Sequence, residues 1–179
     1  MKREVIVSGF GGQGVMSIGK FLVEAGLLEG LEVCWVPSYG PEMRGGTANC
    51  SVILSTEMIG SPVVSQPTEL IVMNSPSLRK FESAVIPGGI ILLDCNEVEA
   101  KVTRTDVKVI DVPCESIARD LGAPKVSNMV LLGAYLEATG ALKVETVRGM
   151  LEHKFAGKKA KYIPINFQAL ERGMACVHK

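Results

Sequence analysis

The chain has 179 residues and a mass of 19.1 kDa, enough for folding to hide roughly 70% of its extended surface, so one domain covering 1–179 is expected. Its 19 Lys and Arg balance 19 Asp and Glu, which leaves no overall field to draw it to nucleic acid or an anionic membrane. No apolar run approaches the ~18 residues of a membrane span, and the start MKREVIV lacks the apolar core and cleavage site of a signal peptide, so a cytoplasmic chain is expected.

Short β-branched runs alternate with helical patterns, the mark of a sheet covered by helices. EVIVSG (4–9), EVCWVP (32–37), LIVMN (70–74), IILLD (90–94) and VKVIDV (107–112) read as strands, most of them apolar throughout, as strands covered on both faces are. Between the first two, Val15, Ile18, Leu22, Ala25 and Leu28 recur at helical spacing and Gly30 ends the helix. TANCSVILST (47–56) alternates only in part and reads as a strand nearer an edge, antiparallel if the sheet is mixed. SPSLRKFES (75–83) reads as a helix with Ser75 as N-cap and Pro76 at its first position, followed by the turn PGG at 87–89. SNMVLLGAYLEATG (127–140) is apolar around most of its circumference, a buried helix capped by Ser127 or Asn128 and stopped by Gly140. Stretches 143–155 and 166–179 read as amphipathic helices joined by the basic loop AGKKAKYIP. The whole predicts an α/β fold, a mostly parallel sheet covered by helices and mixed if 47–56 runs antiparallel.

The cysteines Cys34, Cys50, Cys95, Cys114 and Cys176 contain no C-x-x-C pair to hold zinc or an iron–sulfur cluster, and read as small apolar residues in a reducing compartment. His153 and His178 read as surface residues. Lys158, Lys159 and Lys161 read as a solvated face, with an acidic partner or a phosphate as the alternative.

Two stretches call for more. Gly9, Gly11 and Gly14 fit G-x-G-x-x-G between a predicted strand and a predicted helix, where backbone N–H groups and the helix dipole favour a phosphate; tight strand-to-helix packing is the competing reason for the glycines. A dinucleotide fold also wants an acid at the end of the second strand, and VPSYG has none there. PSYGPEMRGGTAN (37–49) then packs prolines, glycines, Tyr39, Glu42 and Arg44 between two strands. Arg44 can clamp a phosphate or carboxylate, with Glu42 fixing it or accepting from a ligand, or the two can pair locally to hold the turn. In a parallel sheet both loops emerge at one carboxyl edge. Gln13 either meets a ligand or braces its own loop, and Asn128 reads as a helix cap rather than a contact.

GFGGQGV with YGPEMRGG, joined by SNMVLLGA at 127–134, resembles the gamma subunit of the 2-oxoacid:ferredoxin oxidoreductases, equivalent to the gamma domain of pyruvate:ferredoxin oxidoreductase. The beta subunit of indolepyruvate:ferredoxin oxidoreductase is the nearest competitor, and a self-contained nucleotide-binding oxidoreductase is a further alternative. The resemblance implies a three-layer α/β/α sandwich domain inside a multi-subunit complex that decarboxylates a 2-oxoacid oxidatively and releases an acyl-coenzyme A. Thiamine diphosphate, magnesium and iron–sulfur clusters are then carried by alpha and beta subunits and a separately encoded ferredoxin-like delta subunit, and ferredoxin accepts the electrons. No GDG thiamine motif occurs in this chain. The candidate binding residues are Gly11, Gly12, Gln13, Gly14, Tyr39, Glu42, Arg44 and Gly45, facing coenzyme A or partner subunits; no catalytic or metal-ligating residue is assigned to the chain.

Overall fold

A computed structural model describes residues 1–39 and 47–178. Six strands, β1 (Lys2–Phe10), β2 (Glu32–Tyr39), β3 (Thr47–Ser55), β4 (Glu69–Val72), β5 (Ile90–Asp94) and β6 (Lys108–Val112), form one sheet in the order β2-β3-β1-β4-β5-β6. β1, β4, β5 and β6 pair in parallel, whereas β3 runs antiparallel to both of its neighbours, β1 and β2. The sheet is therefore mixed, and β3 alone opposes the common direction. It lies one place in from the edge, and β2 is the edge strand.

The helices are α1 (Val15–Leu28), α2 (Ser75–Phe81), α3 (Cys114–Asp120), α4 (Ser127–Thr139), α5 (Val144–Lys154) and α6 (Ile163–Met174). Successive strand residues point to opposite faces, and both faces of the parallel strands are covered. Val5, Val7, Ile71 and Leu92 join the larger core cluster with α1, α3, α4, α5 and α6. Ile6, Leu70, Ile91 and Leu93 join a smaller one with Leu78 of α2 and Val98. The three layers are thus unequal, with α2 and irregular chain forming the thin one.

Several expectations shift by a residue or a role. α2 is capped by Asn74, whose Oδ1 accepts from the Ser77 N–H at 2.8 Å; Ser75 is the first helical residue, and its Oγ accepts from Glu99 and Ala100 N–H instead. The stretch read as a basic loop winds into a 3₁₀ turn, Gly157–Tyr162, that leads into α6. α3 was not legible in the sequence pattern. Gly30 and Gly140 end α1 and α4 with left-handed backbone, as expected.

α4, buried along Met129–Leu136, is the central helix of the thick layer. It meets α6 through Gly133 and Gly173: a Cβ on Gly133 would run into the Leu170 carbonyl, and one on Gly173 into the Val130 carbonyl. At the amino edge of the sheet, Arg3 bonds the 1%-exposed Glu69 at 2.8 Å and the Thr139 carbonyl at 3.0 Å, tying β1 and β4 to the end of α4. Burial pushes the Glu69 carboxyl up, while the hydrogen bonds from Thr68 and Arg3 pull it back.

Candidate functional site

β1 ends at Phe10, and Gly11–Gly14 turn the chain into α1. Gly12 and Gly14 have φ of +95° and +89°, backbone that favours glycine. Gly14 is the N-cap of α1 and carries no side chain to bond the helix's opening N–H groups. The N–H groups of Gly11, Gly12 and Gly14 have no acceptor among the described residues, and Gly11 and Gly12 are exposed. Unpaired donors at the positive end of a helix make a surface that favours an anion.

Gln13 holds that loop in shape. Its Oε1 accepts from the Phe10 N–H at 2.7 Å, its Nε2 donates to the Met73 carbonyl at 2.9 Å, and its own N–H donates to the Phe10 carbonyl at 3.2 Å. The amide thus staples the loop to the end of β4, which agrees with the bracing reading of this residue.

Asn128 departs from its expected role. No side chain caps α4, which follows directly on a 3₁₀ turn at Pro124–Val126. Asn128 instead lies on the glycine loop, so close that a Cβ on Gly14 would fall 2.7 Å from Asn128 Nδ2. Two sequence segments more than a hundred residues apart are packed into one unit at the helix N-terminus. Spacing alone gave no sign of this contact.

The second loop leaves the same rim. Ala48 pairs with Gly9 on one side and Tyr39 on the other, while Phe10 pairs with Thr47. At about 4.8 Å between strands, Gly9 and the end of β2 stand roughly 10 Å apart. The connection from Tyr39 to Thr47 therefore starts and finishes beside the glycine loop. The expected Glu42, Arg44 and Gly45 lie outside the described residues, as do Gly40, Pro41, Met43 and Gly46.

β3 also explains why no dinucleotide signature accompanies the glycines. It separates β2 from β1, so the end of β2 is one strand further from the phosphate-type loop than in a doubly wound dinucleotide fold. Among the described residues, no three His, Cys, Asp or Glu side chains come together in a metal-holding group. Cys50 and Cys114 are buried, Cys34 and Cys176 half-buried and Cys95 exposed, all as free thiols. Among the described residues, no helix is long and apolar enough to cross a membrane.

The sequence and the fold match known proteins. The family model for pyruvate ferredoxin/flavodoxin oxidoreductase matches residues 4–176, and the chain belongs to that family. It is 43% identical to the ketoisovalerate oxidoreductase subunit VorA of Methanothermobacter thermautotrophicus over 94% of its own length and 35% of that protein's. It thus spans about a third of the VorA subunits it matches. The 2-oxoglutarate synthase subunit KorC of Methanothermobacter marburgensis is 33% identical, with 86% of each chain covered. The crystal structure of a keto/oxoacid ferredoxin oxidoreductase gamma subunit from Geobacter sulfurreducens superposes with a TM-score of 0.81 at 26% identity, covering 98% of both chains.

Proposed function

We propose that residues 1–179 form one gamma-type domain of a multi-subunit 2-oxoacid:ferredoxin oxidoreductase, working in the cytoplasm. The complex would cleave carbon dioxide from a 2-oxoacid, pass the released electrons to ferredoxin and transfer the acyl group to coenzyme A. Alpha and beta subunits, with a ferredoxin-like delta subunit, would carry thiamine diphosphate, magnesium and the iron–sulfur clusters. The chain's own task is to line the wall of the active site and orient coenzyme A.

The observation that carries this reading is the shared rim: the glycine loop and both ends of the 40–46 connection flank Ala48. The residues available there suit a phosphorylated co-substrate. The N–H groups of Gly11, Gly12 and Gly14, unpaired among the described residues, are donors only, the opening turn of α1 adds the positive end of its dipole, and Arg44 in the adjoining stretch of sequence supplies a permanent charge. Coenzyme A, when bound, supplies the thiol that takes the acyl group. This chain would hold its phosphates and keep the thiol directed at the partner's cofactor.

Substituting Arg44→Ala in the assembled complex tests the reading. The expected result is normal assembly with KM for coenzyme A raised about 10-fold or more and a smaller change in kcat, as loss of one charge-assisted bidentate contact predicts. Normal assembly with unchanged dependence on coenzyme A would overturn the ligand-binding role.

A further inference from the structure

The two antiparallel strands at the β2 end of the sheet are not covered alike on their two faces. Val33 and Trp35 of β2, with Cys50, Val52 and Leu54 of β3, turn towards α1 and join the larger core cluster. The alternate residues turn to the thin-layer side, where α2 packs on β1 and β4. On that side Cys34, Val36 and Ser38 of β2 stand opposite Ile53, Ser51 and Asn49 of β3. Ile53 is buried, but Val36 is 41% exposed, Ser38 is exposed, and Cys34, Asn49 and Ser51 are half-buried.

This strip carries no charge. Neither 34–38 nor 47–53 contains an Asp, Glu, Lys or Arg, in a chain where 21% of residues are charged. The other edge strand, β6, shows Lys108 and Asp111 to solvent, the usual protection of a sheet margin. An open margin without charges is an aggregation hazard unless another surface covers it, and depletion of charge marks the centre of protein interfaces. Pro37 removes a donor from β2, so the free edge is poorly suited to pairing with a further strand, and cover comes onto the face instead. The strip ends at Tyr39 and Thr47, where the connection at the rim starts and finishes, and so runs into the surface assigned above to partner subunits.

From the open face, its missing charges and its continuity with the rim, we propose that the thin-layer side of β2 and β3 docks a neighbouring subunit, the one equivalent to the part of VorA that this chain does not match. The matched region is 35% of each VorA subunit, so those chains hold this kind of domain joined to about twice as much further structure, whereas KorC is matched over 86% of its length. The docked surface presents small and apolar side chains to Cys34 and Val36, with hydrogen-bonding groups for Ser38, Asn49 and Ser51. This docking rests on the multi-subunit reading above but does not involve Arg44, so it and coenzyme A binding fail separately.

The test is sedimentation-velocity titration of the full 179-residue chain with the separately purified subunit that matches the rest of VorA. The parent is compared with Val36→Arg/Ser38→Arg, with Val36→Glu and, on the far edge of the sheet, with Val109→Arg. Val36, Ser38 and Val109 are exposed, so urea midpoints of the isolated variants are expected to agree with the parent's. A charge carried unpaired into a closed interface is strongly unfavourable: the double variant should bind at least about 100-fold more weakly and Val36→Glu at least about tenfold, with Val109→Arg binding as the parent does. Unchanged binding by the double variant and Val36→Glu, or an equal loss in Val109→Arg, would overturn this face as the docking surface. So would a parent chain that self-associates and becomes monomeric with Val36→Glu, which identifies a second copy as the occupant. A parent chain that binds no such subunit overturns the multi-subunit reading and this docking together.

Discussion

Asn128 sits against Gly14, with its Nδ2 2.7 Å from the position a Cβ on that glycine would occupy. Gly14 is therefore constrained twice, by a left-handed backbone at φ +89° and by a neighbour that leaves no room for a methyl group. Gly12 has a similar φ of +95° but nothing within 4 Å of its missing Cβ. Gly14→Ala is expected to destabilise the chain by about 2–4 kcal/mol, combining backbone strain with overpacking, and Gly12→Ala by about 1 kcal/mol. Urea unfolding of the two variants checks the difference.

Gln13 is the second control point of the loop. Gln13→Ala removes two side-chain hydrogen bonds, to the Phe10 N–H and the Met73 carbonyl, and leaves both partners unfilled. A loss of about 1–3 kcal/mol is expected, with amide exchange accelerated at residues 10–14 and little changed at the end of α4. Uniform acceleration throughout the chain would mean that Gln13 supports the fold as a whole and not the loop.

The thick layer depends on backbone contact between α4 and α6. Gly133→Ala would drive a methyl group into the Leu170 carbonyl, and α4 cannot yield without moving the face it buries against β5 and β6. The expected cost is about 3 kcal/mol or more in unfolding free energy, whereas Gly149→Ala on α5, with nothing within 4 Å, should be neutral or stabilising.

Asp94 gives stability a pH dependence. It is 2% exposed at the end of β5, and burial pushes its carboxyl up to about 6, against hydrogen bonds from the Asn96 and Cys114 N–H groups that pull it down. The folded chain therefore holds a proton on Asp94 that the unfolded chain releases near pH 4. The stabilisation is full below that point and is lost as pH rises through about 6, amounting to about 3 kcal/mol. Urea midpoints from pH 4 to 8 should show this decline, and Asp94→Asn should flatten it.

The thiols should separate by burial. Burial pushes Cys50 up to about 11 and Cys114 well above the ordinary thiol range, and both are sealed inside the core. Cys95 is exposed. Iodoacetamide at neutral pH is expected to modify Cys95 in the folded chain and to reach Cys50 and Cys114 only on unfolding, as peptide mass mapping would show.

The parts of this molecule legible in its sequence are those governed by local pattern. Continuous apolar runs marked β4 and β5 because both their faces are covered, and Gly30 and Gly140 marked helix ends because the chain there turns left-handed. The glycine loop was recognisable from its place between β1 and α1. What stayed hidden depends on long-range pairing. Nothing in TANCSVILST says that it inserts between β1 and β2, since either edge position would bury the same residues. Asn74 and Ser75 are both good caps, and the choice between them is made by residues 99 and 100, which claim the Ser75 hydroxyl. The contact of Asn128 with Gly14 and the Gly133–Gly173 crossing arise only when α4 is laid across α1 and α6.

The central claim is that the rim around Ala48 faces the subunits that carry thiamine diphosphate. Hydrogen–deuterium exchange of the chain alone and in the reconstituted complex measures it directly. Strong protection on assembly is predicted at residues 9–14 and 37–49, deepened by coenzyme A. Unchanged exchange in both segments, with protection confined to the opposite edge of the sheet, would contradict it.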